Sequence, residues 1–202
     1  MGGKPVEPVI GVSRAEVPTK VSLASFNNGG FRRGRPAIIE ALWIVVQALL
    51  VTSFIPGSAH RCFLFRLFGA QIGRRVTMKP GVRVKLPWRL TVADDVWIGE
   101  DAWIDNLAHV EIGANVCVSQ GAYLCTGSHD WSASTFDLIT QPIKIESGAW
   151  IAAKAIVGPG VTVGSGSVLT LGSMASSDLE PWTIYGGTPA RPIKSRKLSV
   201  IA

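Results

Sequence analysis

The chain has 202 residues, room for one domain and a small accessory element. Hydrophobic residues make up 47% and charged residues 17%, which excludes a disordered chain and supports a sizeable core. The net charge of +6 suits nucleic acid, an anionic membrane or a phosphorylated ligand; without a recognition helix, zinc spacing or basic-aromatic platform, nucleic acid is set aside.

Residues 1–36 carry Gly, Pro, Ser and Arg with little periodicity and read as a mostly extended arm, with Arg32, Arg33 and Arg35 crowded at its end. The run from Ala37 to Ile55, stopped by Pro56 and Gly57, reads as a helix. A membrane span needs roughly 20 apolar residues, and Glu40 and Gln47 interrupt this one. A second apolar helix is expected from about Ala59 to Phe68, completing an apolar helical segment over 37–71. Two roles stay open for it. It can cap an unpaired sheet end, or it can also make peripheral contact with the inner membrane, its arginines against anionic head groups. The first apolar run lacks a small-residue cleavage pattern, so no secretory signal is expected. Cys62, Cys117 and Cys125 are odd in number and lack metal-ligand spacing. A cytoplasmic location is the simpler inference.

From Ile72 a different rhythm begins, irregular through Val76, Val82, Val84, Leu90 and Val92, and then regular. Ile98, Ile104 and Val110 lie six apart; after a two-residue shift come Ile112, Val118 and Leu124. Beyond a break, Ile145, Ile151, Val157, Val163 and Leu169 resume the beat. Four residues after most of these stands a small or β-branched residue, among them Ala102, Ala108, Ala122, Ala149 and Ala155. A period of six fits neither a helix nor a two-sided strand. It marks a hexapeptide-repeat β-helix, whose short strands bury their apolar faces only by stacking coil on coil. Such a domain is expected over 72–177, with a loop at 125–143. The basic tail, 178–202, reads as too polar for another coil and is expected to fold back along the prism.

The loop opens Cys125-Thr126-Gly127-Ser128-His129-Asp130-Trp131. A long excursion from a rigid scaffold points to function. Imidazole, with its ordinary pKa near 6.5, suits proton transfer at neutral pH, so His129 is the candidate catalytic base. A lone histidine with no catalytic role is the plainer alternative.

The hexapeptide run, the GSHDW loop and the segments AWIAAKAIVGPGVTVGSGS and YGGTPARPI resemble the left-handed β-helix acyltransferases that use acetyl-CoA. More closely, FNNGGFRRGRPAIIEALW, RLFGAQIG, WIGEDAWIDNLAHVEIGANVCVSQGAYLCTGSHDW and TPARPI resemble the colanic acid biosynthesis acetyltransferases of exopolysaccharide gene sets. The resemblance implies a mainly β, left-handed parallel β-helix and an O-acetyltransferase that moves acetyl from acetyl-CoA to a sugar hydroxyl, with no metal. It implies a homotrimer with each site in a cleft between neighbouring prisms and His129 as general base. Asn106 falls where related sugar acetyltransferases hold the acceptor with a carboxylate; Asp105 is the alternative contact, and Trp131 would close over the sugar. For the donor, the resemblance puts Trp150 in the cleft and the Ala153 N–H at the oxyanion. Backbone around Ala152, Ala153 and Gly172 would hold the pantetheine arm, and Arg191 and Lys194 the phosphates. Where many relatives carry a lysine, this chain has Ser176-Ser177-Asp178, which shifts that charge to Arg191, Lys194 or Arg196. Corner packing for Asp105 and Asn106, a packed aromatic for Trp150 and a solvated basic tail stay open. So does a non-catalytic β-helix scaffold. A carbonic-anhydrase-like zinc site needs converging histidines, and His60, His109 and His129 lack that spacing.

Overall fold

The computed structural model describes residues 20–28 and 30–199, and its body is a three-faced parallel β-helix. The first face stacks Gln71–Ile72, Leu90–Val92, Val110–Ile112, Ile143–Ile145 and Thr162–Val163. The second stacks Thr77–Met78, Trp97–Ile98, Cys117–Val118, Trp150–Ile151, Val168–Leu169 and Thr183–Gly186, and ends on Arg191–Ser195. The third stacks Arg83–Val84, Trp103–Asp105, Tyr123–Cys125, Ile156–Val157 and Met174–Ala175.

The six-residue beat is one side of this prism. Ile98, Ile104, Val118, Leu124, Ile151 and Val157 all point inward and are almost fully buried. In the early coils paired residues are 20 apart, as in Gln71 with Thr91 and Arg83 with Trp103. In the last coils they are 18 apart, three hexads, as in Trp150 with Val168. The two-residue shift is therefore a longer corner between the third and first faces. At that corner Asn106 takes the inward place, and Ala108, expected in the inward series, is only half-buried. Across the loop the spacing jumps to 33, as in Val110 with Ile143. The corner between the first and second faces turns through a left-handed residue in successive coils: Arg75, Asp95, Asn115, Gly148 and Gly166, with φ from +53 to +73. Asp, Asn and Gly are the residues that tolerate this region best.

The end of a β-helix exposes the unpaired backbone of its first coil. Two helices cover it here: α1 (Ala37–Val46), continued by a π-helical turn at Gln47–Val51, and α2 (Ala59–Leu67). On the third face, the Trp43 indole N–H donates to the Val84 carbonyl (2.8 Å), and Gln47 Oε1 accepts the Val84 N–H (2.7 Å). On the second, Ser58 Oγ accepts the Met78 N–H at 3.0 Å. On the first, Arg66 Nε donates to the Ile72 carbonyl at 3.0 Å. Capping the open end is thus the structural role of the segment. Trp43 packs on Phe65 and Phe68 with ring centroids 5.2 and 5.0 Å apart.

The first helix ends at Val51 rather than running to Ile55. The cause is Arg61, fully buried, whose guanidinium collects the carbonyls of Val51, Ser53, Ile55 and Gly57 and bends the chain around itself. Burial lowers its pKa, and the carbonyl dipoles stand in for the missing carboxylate.

The tail also departs from expectation. Leu179 bridges Val163 in parallel, and Thr183–Gly186 adds a parallel strand beside Val168–Leu169. The coil therefore continues past 178, because Leu179 and Tyr185 fill inward positions while Glu180, Pro181 and Trp182 between them are exposed. Only Arg191–Ser195 folds back, antiparallel to Thr183–Gly186. Among the described residues no helix is long and apolar enough to cross a membrane.

Candidate active site

The loop leaves the prism at the corner between the third and first faces. Its root is pinned by Thr126, fully buried, whose Oγ1 donates to the Asp105 carbonyl and accepts the Ala108 N–H, both at 2.9 Å. Gly127–His129 then pairs antiparallel with Leu138–Thr140, His129 opposite Leu138.

Phe136, at φ +53, turns its carbonyl back on the histidine. His129 Nδ1 lies 2.9 Å from that oxygen, and the two rings stack at 4.3 Å and 7°. A carbonyl only accepts, so Nδ1 carries the proton, and in the neutral ring Nε2 keeps its lone pair. Nε2 has no hydrogen-bond partner among the described residues. Phe26 approaches the ring from the arm at 5.8 Å, and the Ser22 N–H donates to the Ser134 carbonyl at 2.9 Å. The described part of the arm therefore lies along the loop; residues 1–19 of the expected arm fall outside the described residues. Phe26 and Phe136 were not singled out in the sequence, where nothing ties either to His129.

The acceptor candidates divide. Asp105 receives the Tyr123 hydroxyl at 3.2 Å and Lys85 Nζ at 3.1 Å. Burial, and then the neighbouring Cys125 and Asp105, push the Tyr123 phenol well above its ordinary range. Asn106 is fully buried: its Oδ1 accepts the Leu86 N–H, and its Nδ2 donates to the Leu86 and Arg89 carbonyls. With its amide spent on the preceding coil, Asn106 is a corner ladder and not an acceptor contact. Trp131 stands at the loop tip, 83% exposed. The turn that projects it is fixed by Asp130, whose carboxylate takes the Ser132 and Ala133 N–H groups and the Ser132 hydroxyl and is held below its usual range by those bonds.

The donor candidates lie on the second face and its corner with the third. Trp150 is half-exposed, its indole N–H on Ser119 Oγ at 2.9 Å. Trp97, missed in the sequence, is exposed two strands away in the same column. It lines a groove of about 250 Å³ with Lys79, Ser119 and Gln120. The Ala153 N–H has no partner among the described residues, whereas the Ala152 N–H is spent on the Leu169 carbonyl and the Gly172 N–H on the Ala153 carbonyl. Of the backbone donors expected for the pantetheine arm, Ala153 alone is free. Arg191 and Lys194 are exposed on the returning strand. Arg196 Nη1 ties the tail to the Gly148 and Gly166 carbonyls, both at 2.9 Å. Among the described residues no group of three or more His, Cys, Asp or Glu side chains could hold a metal ion.

One chain thus brings Asp105, Lys85 and Tyr123 together on the third face. It sets His129 at that face's far corner from Ala153.

No family model matches the chain. WcaF of Escherichia coli K12, assigned as a colanic acid biosynthesis acetyltransferase, is 40% identical over 169 residues, 83% of this chain and 92% of WcaF. Galactoside O-acetyltransferase of the same organism is 25% identical over 62% of this chain and 63% of its own length. The crystal structure of a hexapeptide-repeat-containing acetyltransferase from Vibrio cholerae matches with a TM-score of 0.72 at 28% identity, over 80% of this chain and 94% of that one. The complex of that acetyltransferase with acetyl-coenzyme A gives 0.73 at 25% identity, over 80% and 88%.

Proposed function

The chain belongs to the hexapeptide-repeat acetyltransferases of the colanic acid biosynthesis (WcaF) type, and we propose that it moves acetyl from acetyl-CoA to a sugar hydroxyl of an exopolysaccharide precursor. The observation that carries the proposal is the position of His129, with Nδ1 2.9 Å from the Phe136 carbonyl oxygen and Nε2 open.

In this reading His129 Nε2 takes the proton of the acceptor hydroxyl as that oxygen attacks the thioester carbonyl. The Ala153 N–H, with no partner among the described residues, meets the oxyanion. As the C–S bond breaks, the imidazolium returns its proton to the departing thiolate. The products are the O-acetyl sugar and coenzyme A, and His129 is regenerated neutral. Asp105 and Trp131 are the acceptor contacts. Trp150 is the wall for the pantetheine arm, and Arg191 and Lys194 are the cations for the phosphates.

The separation of His129 from Ala153 on one prism supports a homotrimer of left-handed prisms, in which the base of one chain faces the donor corner of the next. The enzyme would work in the cytoplasm.

Coenzyme A binding, followed calorimetrically, tests the donor half. Binding is expected for the wild type, weakened about tenfold or more in an Arg191→Ala, Lys194→Ala double variant, since charge-assisted bonds to phosphate are among the strong ones. A wild type that binds no coenzyme A would leave a scaffold and overturn the proposal.

A further inference from the structure

The helical cap has an outer face that nothing among the described residues covers. Ile38, Leu42, Val45 and Leu49 recur at helical spacing along α1 and its π-helical extension, and each is at least half exposed. A surface helix normally turns polar residues outward; here the stripe facing solvent is apolar. Phe54, 93% exposed, and Ile55 continue it beyond the helix end, and Phe63 and Leu67 add one face of α2. The inner side of the cap is committed to the first coil through Trp43, Gln47, Ser58 and Arg66, so this outer face has a fixed direction, away from the prism.

Charge is distributed along the prism in the same sense. Residues 20–89, the described arm, the cap and the first coil, hold twelve Lys or Arg against a single acid, Glu40. Residues 90–202 hold six against eleven. Glu40 pairs with Arg33, and Arg74, Arg75 and Lys85 pair with acids of the second coil. Arg32, Arg35 and Lys79 have no carboxylate partner among the described residues. Arg35 borders the apolar face directly, in a hollow shared with Leu42 and Leu67. Phe54 shares a second hollow with Arg83, where Glu100 and Asp101 are also present.

From these observations we infer that the outer face of the cap seats on an anionic lipid bilayer, its apolar side chains at the head-group boundary and its cations against the head groups. The helices are too short to span, and an apolar face bordered by Arg35 at the cationic end of the chain fits a segment that lies on the surface. A second copy of the chain is the poorer occupant, because end-to-end contact would oppose two cationic ends. Seated this way, the prism stands on the membrane. Two strand spacings and the thickness of the cap, roughly 20 Å together, separate the surface from the coil that bears the His129 loop. A saccharide carried on a lipid spans that distance.

The test is co-sedimentation of the full-length protein with vesicles of phosphatidylglycerol and phosphatidylethanolamine, or of phosphatidylcholine alone, at low and high salt. Binding to the anionic vesicles at low salt is expected, reduced about tenfold or more on neutral vesicles and at high salt. A Leu49→Ser, Phe54→Ser double variant is expected to lose about tenfold or more on the anionic vesicles with its melting temperature unchanged, both side chains being exposed. Failure of the wild type to bind anionic vesicles, or equal binding by the double variant, would overturn the inference. So would end-to-end self-association without lipid that the variant abolishes. Coenzyme A binding, measured separately, keeps this outcome distinct from the acetyl-transfer proposal.

Discussion

The indole N–H of Trp43 donates to the carbonyl of Val84, and one turn later Gln47 accepts the N–H of that same residue. Val84 sits on the first strand of the third face, where no earlier coil exists to pair with it. A helix side chain thus does the work of a missing strand. Trp43→Phe or Gln47→Leu would leave one buried backbone group unpaired, at a cost of about 1–3 kcal/mol each. Urea unfolding should report that loss, with a greater tendency to aggregate through the uncovered edge; unchanged midpoints would remove the cap from the stability of the coil.

Asn106→Ala separates a ladder residue from a substrate contact. The amide bonds three backbone groups at a buried corner, so its loss should destabilise by about 3 kcal/mol. Coenzyme A affinity should be unaffected. A variant of normal stability with a raised acceptor KM would restore Asn106 to the acceptor site.

Much of this architecture was legible because a six-residue beat leaves few alternatives: Ile98, Ile104, Val118 and Leu124 all sit where that period puts them. Asn106 was legible as either a corner residue or an acceptor contact, and only its burial in three dimensions shows the amide to be consumed at the corner. It was the tail that misled. Leu179 and Tyr185 are just two inward residues before the turn, too few to register as rhythm, yet a coil already stacked beneath them suffices to recruit them. The partner of His129 was out of reach altogether, since a backbone carbonyl has no side-chain signature and any residue could have supplied it at Phe136.

Glu146 ties two neighbouring coils. Its carboxylate accepts the Ser165 N–H at 3.0 Å and the Ser165 hydroxyl at 2.8 Å, and these bonds hold its pKa below the ordinary value. A depressed folded value means the contribution is complete above the unfolded pKa of about 4.3 and is lost as pH falls through the folded value. Glu146→Gln should therefore lower the melting temperature at neutral pH, and its difference from wild type should shrink as pH falls below about 4. A difference that stays constant into acid would assign the effect to shape and not to charge.

The most direct measurement is the single-turnover rate of acetyl transfer by His129→Ala, with acetyl-CoA and a sugar acceptor that the wild type uses. Loss of a general base predicts a fall of roughly a hundredfold to ten-thousandfold, with coenzyme A affinity and oligomeric state unchanged. Transfer at the wild-type rate, under conditions where chemistry limits turnover, would contradict the assignment of His129 and with it the account of the site.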